Sequence, residues 1–269
     1  MEKMKTKNGN VKIADTDMDY ITFGSGTHNL IIIPGLGDAL KTVKGSAIPL
    51  AWMYKIFARD YTVYVFSRKN ILEQGYSTKD MAADQAAAMK KLGISKASVL
   101  GVSQGGMIAQ YLAINHSELV EKLVLAVTLC KQNDTIQNVI NNWINLAKED
   151  DFKSIFIDTA EKSYSQVKLK SYRPLYPILC KISKPKNLDR FIIQANACIN
   201  HDTYNEIGKI QCPTFVIGGN DDKIVGIDSS NEIAKQIFGS KLKIYEGLGH
   251  GTYEETKDFN RQVLDFLNS

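Results

Sequence analysis

The chain has 269 residues, 44% of them hydrophobic, which is enough for one α/β core carrying an insertion. Its 33 basic and 29 acidic residues leave a net charge of only +4, too little to indicate nucleic-acid binding without a basic stripe. No apolar run approaches membrane-spanning length, the basic N-terminus lacks an apolar stretch behind it, and Cys130, Cys180, Cys198 and Cys212 have neither metal spacing nor disulfide density, so a reduced, cytoplasmic chain with no membrane partner is expected.

Residues 11–15 and 19–23 read as two short strands. Residues 29–33 form an apolar, β-branched run suited to a strand buried on both faces. It ends in Pro34-Gly35-Leu36-Gly37-Asp38, a loop whose backbone N–H groups can face a ligand. A helix over 49–58 and a strand over 61–66 follow, then a loop through Ser67, Arg68, Lys69 and Asn70. Ser77 or Thr78 is placed to cap a helix that runs to Leu92, with Asp80 and Asp84 in its first turns.

Residues 99–102 are another buried strand, and a helical pattern begins after Gly105-Gly106. Between them stands one serine, in Gly101-Val102-Ser103-Gln104-Gly105. This is the G-x-S-x-G elbow in its expected setting of strand, sharp turn and helix. The turn lifts the Ser103 hydroxyl above the sheet edge, and the helix aims its first N–H groups where an oxyanion would form.

Residues 123–128 make a further strand, after which the α/β alternation stops. From 131 to 207 the patterns are helical: one face of Ile136, Val139, Ile140, Trp143 and Ala147, a second helix over 152–164 and a third over 189–199. A segment with Pro174, Pro177 and Pro185 lies between. Eight basic residues fall between Lys162 and Arg190 against one acid, Asp189; this reads as a solvated face, or as an attractor of anionic substrate. The alternation returns with a strand over 212–217, a loop through Asp221 and Asp222, and a helix over 229–238. A last strand over 242–245 precedes the loop Gly247-Leu248-Gly249-His250-Gly251 and a terminal helix.

Ser103, the acids Asp221 and Asp222, and His250 each follow a strand, and in a parallel sheet all those strand ends lie on one edge. Of the four histidines, His250 alone stands between glycines after a terminal strand, and His201 is its rival as base.

On the Pro34–Gly37 loop, the run from Gly101 to Met107, the loop after Pro213 and Gly249-His250, nearly the whole chain resembles the α/β-hydrolase superfamily, in its cap-bearing, esterase-like branch. The resemblance implies an α/β-hydrolase fold: a mostly parallel eight-stranded sheet flanked by helices, with a helical cap inserted after strand 6. The core would be residues 1–130 and 208–269 and the cap 131–207. It implies Ser103 as nucleophile, His250 as general base, and an oxyanion hole from the backbone N–H groups of Gln104 and Leu36. Counting from Gly219 gives Asp222 as the triad acid; counting from Gly218 gives Asp221. Asp222 is favoured.

Two departures stand out. Pro34 replaces a histidine common in relatives, which leaves the backbone donors intact. Ser67-Arg68-Lys69-Asn70 replaces an Asp-x-Arg-Gly stretch, so Arg68 becomes a support or a substrate contact; Trp143 is a second candidate contact. The expectation is therefore a serine hydrolase of small or medium carboxylic esters that uses no metal or organic cofactor. Its partner would be a small-molecule acyl substrate, with homodimerisation left open. Hydrolysis of C–C, thioester or lactone bonds, perhydrolysis, and non-catalytic ligand binding are the alternatives on the same fold.

Overall fold

The computed structural model describes residues 5–269; residues 1–4, at the head of the basic N-terminal stretch, lie outside the described residues. Eight strands make one sheet: β1 (Thr6–Ile13), β2 (Thr16–Phe23), β3 (His28–Ile33), β4 (Tyr61–Lys69), β5 (Ala97–Val102), β6 (Val120–Ala126), β7 (Thr214–Gly219) and β8 (Lys241–Tyr245). Their spatial order is β1-β2-β4-β3-β5-β6-β7-β8. β1 and β2 pair antiparallel, as do β2 and β4, and every other pairing is parallel.

The helices are α1 (Ala47–Met53), α2 (Thr78–Lys91), α3 (Gln104–Asn115), α4 (Asp134–Lys148), α5 (Phe152–Ser163), α6 (Gln166–Tyr172), α7 (Tyr176–Ser183), α8 (Asp189–Ile199), α9 (Ser229–Gln236), α10 (Thr252–Glu255) and α11 (Phe259–Leu267). Among the described residues, no helix is long and apolar enough to cross a membrane.

The period-2 geometry of strands sorts the core into two layers. In β3, Ile31 and Ile33 join the layer beneath α2 and α3, while Leu30 and Ile32 join the one beneath α1 and α11. Both faces are therefore apolar, which is why this strand reads as an unbroken hydrophobic run. Ser77 caps α2 in a reciprocal capping box with Asp80.

Several boundaries differ from those expected. β1 begins at Thr6 and turns at Ala14, because pairing with β2 extends a polar edge strand that carries no apolar signal. The helix expected over 49–58 is α1 followed by a separate 3₁₀ turn, Lys55–Phe57. The proline-containing segment also holds α6, a 3₁₀ turn and α7; Pro174 and Pro177 sit in the first turns of their helices, where a missing N–H breaks no bond.

Only helices, α4 to α8, lie between β6 and β7. Their apolar faces share a third core with the sheet edge: Ile136, Ile140, Trp143 and Phe191 pack with Met107, Leu129 and Val225. The helical insertion is thus seated on the strand ends.

Candidate active site

Four strand ends meet under that insertion: those of β3, β5, β7 and β8. The end of β5 carries Ser103, held at φ 54° and ψ −120°. Such a conformation persists only where its surroundings enforce it. Here the Ser103 N–H donates to Ala126 O at 2.8 Å, and its carbonyl accepts from Gly106 N at 2.8 Å. Glycine is required on either side for space. A Cβ at Gly105 would fall onto the Ile33 carbonyl, and one at Gly101 would strike Gly106 and Ala109 of α3.

The loops after β7 and β8 are tied to one another. Asp221 N donates to Leu248 O at 3.0 Å, and Gly247 N donates to the Asn220 side chain at 2.7 Å. This seam brings the two loops' side chains together. His250 Nδ1 lies 2.9 Å from Asp222 Oδ2, and His250 Nε2 lies 2.9 Å from Ser103 Oγ. An ionised carboxylate only accepts, so Nδ1 carries the proton and Nε2 accepts from the serine hydroxyl. The other Asp222 oxygen accepts from the N–H groups of Ile224 and Val225, at 2.9 and 3.0 Å. These bonds aim the buried Asp222 side chain at the imidazole. Asp221 faces solvent and pairs with Lys223 at 3.1 Å, so the structure brings Asp222 to His250 and leaves its neighbour outside.

Gln104 opens α3 and Leu36 opens the 3₁₀ turn Leu36–Ala39, so neither N–H has an acceptor within its own helix. Gly35, beside Leu36, lies close against the elbow; a Cβ there would lie 3.2 Å from Ser103 Cβ.

Arg68 is not on an open surface. It is fully buried, and its Nη2 donates to Pro34 O at 2.7 Å and to Gln104 Oε1 at 2.8 Å. These contacts tie it to the loop after β3 and to the residue that follows Ser103. Trp143 is buried in the third core, and its Nε1 donates to Asp158 at 2.7 Å. Its ring therefore offers an apolar face and no free donor.

His201, the rival base, is buried against α2 and α3, between Thr78 Oγ1 at 2.9 Å and Gln110 Oε1 at 3.4 Å. Burial lowers its pKa to about 3, which makes it a neutral structural group.

One cluster carried no sequence signal. Arg190 of α8 donates through Nη2 to Asp38 Oδ2 at 3.1 Å and through Nη1 to the Lys69 carbonyl. Asp38 also accepts from the Arg68 backbone N–H at 3.0 Å. The basic run read as a solvated face thus ends in a cation turned inward. Arg173 is likewise paired with Glu161, and Lys184 with Asp150.

Known proteins share this architecture. The family described as alpha/beta hydrolase fold matches residues 29–256. The chain is 27% identical over 195 residues to a 2-hydroxy-6-oxononadienedioate/2-hydroxy-6-oxononatrienedioate hydrolase of Klebsiella pneumoniae, a match covering 67% of this chain and 65% of the relative. Among solved structures it resembles MGS-M2, an alpha/beta hydrolase enzyme from a Medee basin deep-sea metagenome library. The TM-score is 0.86 at 19% identity, covering 97% and 98% of the two chains. The enol-lactonase of Burkholderia xenovorans LB400 follows with a TM-score of 0.82 at 17% identity, covering 97% and 100%. Both of these are likenesses of fold.

Proposed function

The chain belongs to the alpha/beta hydrolase fold family, and from that premise we propose that it is a serine hydrolase of small or medium carboxylic esters. The observation that carries this reading is the unbroken relay from Asp222 through His250 to Ser103, with 2.9 Å at each step. Ser103 Oγ attacks the acyl carbon while His250 Nε2 takes its proton. Asp222 keeps the imidazole in the right tautomer and stabilises the imidazolium. The N–H groups of Gln104 and Leu36 hold the oxyanion; each such donor is worth about 10²–10³ in turnover. His250 then returns its proton to the departing alcohol. A water molecule, deprotonated by the same nitrogen, cleaves the acyl-enzyme and frees the acid and Ser103.

The third core supports an uncharged, apolar substrate. Leu36, Met107 and Val225, which lie on the segments that carry the oxyanion loop, the nucleophile and the acid, pack with Ile140 and Trp143 in that core. The two cations nearby, the buried Arg68 and the partly buried Arg190, are turned towards Asp38, Gln104 and backbone carbonyls of the core, which favours an uncharged substrate over one that carries a carboxylate. The solved enol-lactonase, by its name, acts on a cyclic ester, which supports an ester carbonyl as the point of attack. The Klebsiella relative's name instead favours a second reading, cleavage of an oxo-dienedioate by the same relay, and its doubly anionic substrate makes the contrast testable.

The experiment is labelling with a fluorophosphonate and mapping of the adduct by mass spectrometry, followed by a panel of p-nitrophenyl esters. An adduct on Ser103 that is lost in His250→Ala, with acetate and butyrate preferred to hemisuccinate, is expected. A folded protein with no adduct and no turnover of small esters sinks the reading in favour of a ligand receptor. Preference for the hemisuccinate ester moves it to the dioate class.

A further inference from the structure

Two surface segments flank the His250 loop, and both combine exposed apolar side chains with lysines that have no ion-pair partner among the described residues. The first is the arm formed by α6 and α7. Val167, Ile178 and Ile182 are 82%, 60% and 74% exposed, and Leu175 is also exposed. Leu175, Ile178 and Ile182 recur at helical spacing, so they form one outward stripe. From Ser165 to Asn187 the arm carries six basic residues and no acid. Arg173 and Lys184 are paired with acids elsewhere, but Lys170, Lys181 and Lys186 have no ion-pair partner among the described residues.

The second segment is α1. Ile48 and Trp52 stand exposed one turn apart, with Lys55 lying over the Trp52 ring at 5.2 Å. No acid occurs between Asp38 and Asp60, while Lys41, Lys44 and Lys55 do.

Both segments are fastened beside His250. At the foot of the arm, Ser163 O accepts from Gly251 N at 2.7 Å, Tyr164 donates to Glu254 at 2.6 Å, and Ser165 donates to Glu255 at 2.6 Å. Those two glutamates belong to α10, which begins two residues after His250. At the other side, Asn260 of α11 donates to Met53 O at the end of α1. Ala51 and Tyr54, at the end of α1, share a core layer with Tyr253 of α10.

We propose that these basic, apolar segments dock the protein onto the surface of an anionic lipid bilayer, with the sheet edge that carries His250 turned towards it. The lack of a membrane-length apolar run excludes a span and says nothing of a surface contact. A solvated face accounts for the lysines and not for the aliphatic stripe set among them. Exposed aliphatic and tryptophan side chains interspersed with lysines fit the boundary between headgroups and acyl chains. Self-association through the arm would set its unbalanced cations against their own copies, because a two-fold interface repeats the same patch on both sides. Phosphate-bearing lipids supply the opposite charge.

The test is co-sedimentation of the full-length protein with phosphatidylcholine vesicles and with vesicles containing about one-third phosphatidylglycerol. Affinity about tenfold or more higher for the anionic vesicles is expected, falling as salt is raised. Trp52 emission should shift to the blue on binding, and the Trp52→Phe variant should lose that shift. Ile178→Asp/Ile182→Asp and Lys170→Glu/Lys181→Glu should each weaken vesicle binding about tenfold or more, while retaining the parent's circular dichroism and its turnover of a water-soluble ester. The Ser103→Ala variant should bind as the parent does, so the docking stands or falls apart from the hydrolase reading. Equal binding to neutral vesicles, or none to either kind, overturns the proposal. So does full competition by inorganic phosphate, which would indicate an ion site, and so does a dimer in light scattering that Ile178→Asp/Ile182→Asp dissolves. Capture of an acidic polypeptide such as polyglutamate without vesicle binding would reassign the surface to a protein partner.

Discussion

Arg68 and Gln104 are joined by a 2.8 Å hydrogen bond in which a fully buried guanidinium holds the side chain of the residue next to Ser103. The same Nη2 donates to Pro34 O at 2.7 Å, and Gln104 Nε2 donates onward to Gln194 O of α8 at 2.8 Å. One cation thereby spans the loop after β3, the elbow and the insertion. The two backbone segments it joins are those proposed to supply the oxyanion donors, which predicts that Arg68 acts as a positioning residue.

Its removal should therefore affect turnover more than binding. Arg68→Met is expected to lower kcat on p-nitrophenyl acetate by about 10–100-fold with KM within a few-fold, because oxyanion contacts strengthen only in the transition state. Breaking a buried ionic network also costs about 3–5 kcal/mol of stability, to be read from urea unfolding. Gln104→Leu separates the two effects, since it leaves Arg68 bound to Pro34 O and Asp38. A selective loss of kcat in that variant supports positioning; a change in KM alone refutes it.

Arg190 pins the insertion to the core. Its guanidinium reaches Asp38 and the carbonyls of Arg68, Lys69 and Asn70, all on the core side. Arg190→Gln should loosen this attachment while leaving the relay in place. Limited proteolysis within residues 131–207 should accelerate, and KM for longer acyl esters should rise with little change in kcat. Unaltered proteolysis would show that the apolar third core holds the insertion by itself.

Local patterns made part of this molecule legible. Ser103 and His250 each sit in a short glycine-flanked sequence at a strand end, and the turn chemistry there is written in adjacent residues. Asp221 and Asp222 are also adjacent, and counting from the loop glycines favours Asp222 while keeping Asp221 open; in the structure it is the Asp222 carboxylate that the loop seam turns inward to His250. Arg68, Asp38 and Arg190 were harder, because their meeting depends on packing between elements up to 152 residues apart. The helices α6 and α7 were hidden by Pro174 and Pro177, which read as breakers until each is seen in a first turn.

His201 gives a pH dependence of stability with a definite sign. Burial depresses its folded pKa to about 3, below the ordinary histidine value. Above pH about 6.5 both folded and unfolded states are neutral, and this residue adds no pH dependence. Between about 6.5 and 3 the unfolded chain binds the proton and the folded one does not, so stability falls as pH falls, by up to about 1.4 kcal/mol per unit. His201→Gln can retain polar contacts with Thr78 and Gln110, and should flatten urea-unfolding midpoints between pH 7 and 4.5. Its ester turnover should match the parent. Loss of activity comparable to that of His250→Ala would instead restore His201 as a base.

The last test concerns the acid. Asp222 contributes through His250 Nδ1 alone, and an amide there would present a donor to a nitrogen that must itself donate. Asp222→Asn should therefore favour the wrong imidazole tautomer and lower kcat by about 10⁴, as that change does in related triads. The variant should still fold, because the amide oxygen can accept from the N–H groups of Ile224 and Val225 as the carboxylate does. Asp221→Asn removes only a solvent-exposed pairing with Lys223, worth at most about 1 kcal/mol, and should leave kcat within twofold. Steady-state kinetics on one soluble ester separates them. Equal losses in the two variants would mean that the loop as a whole, and not the Asp222 carboxylate, is what the imidazole requires.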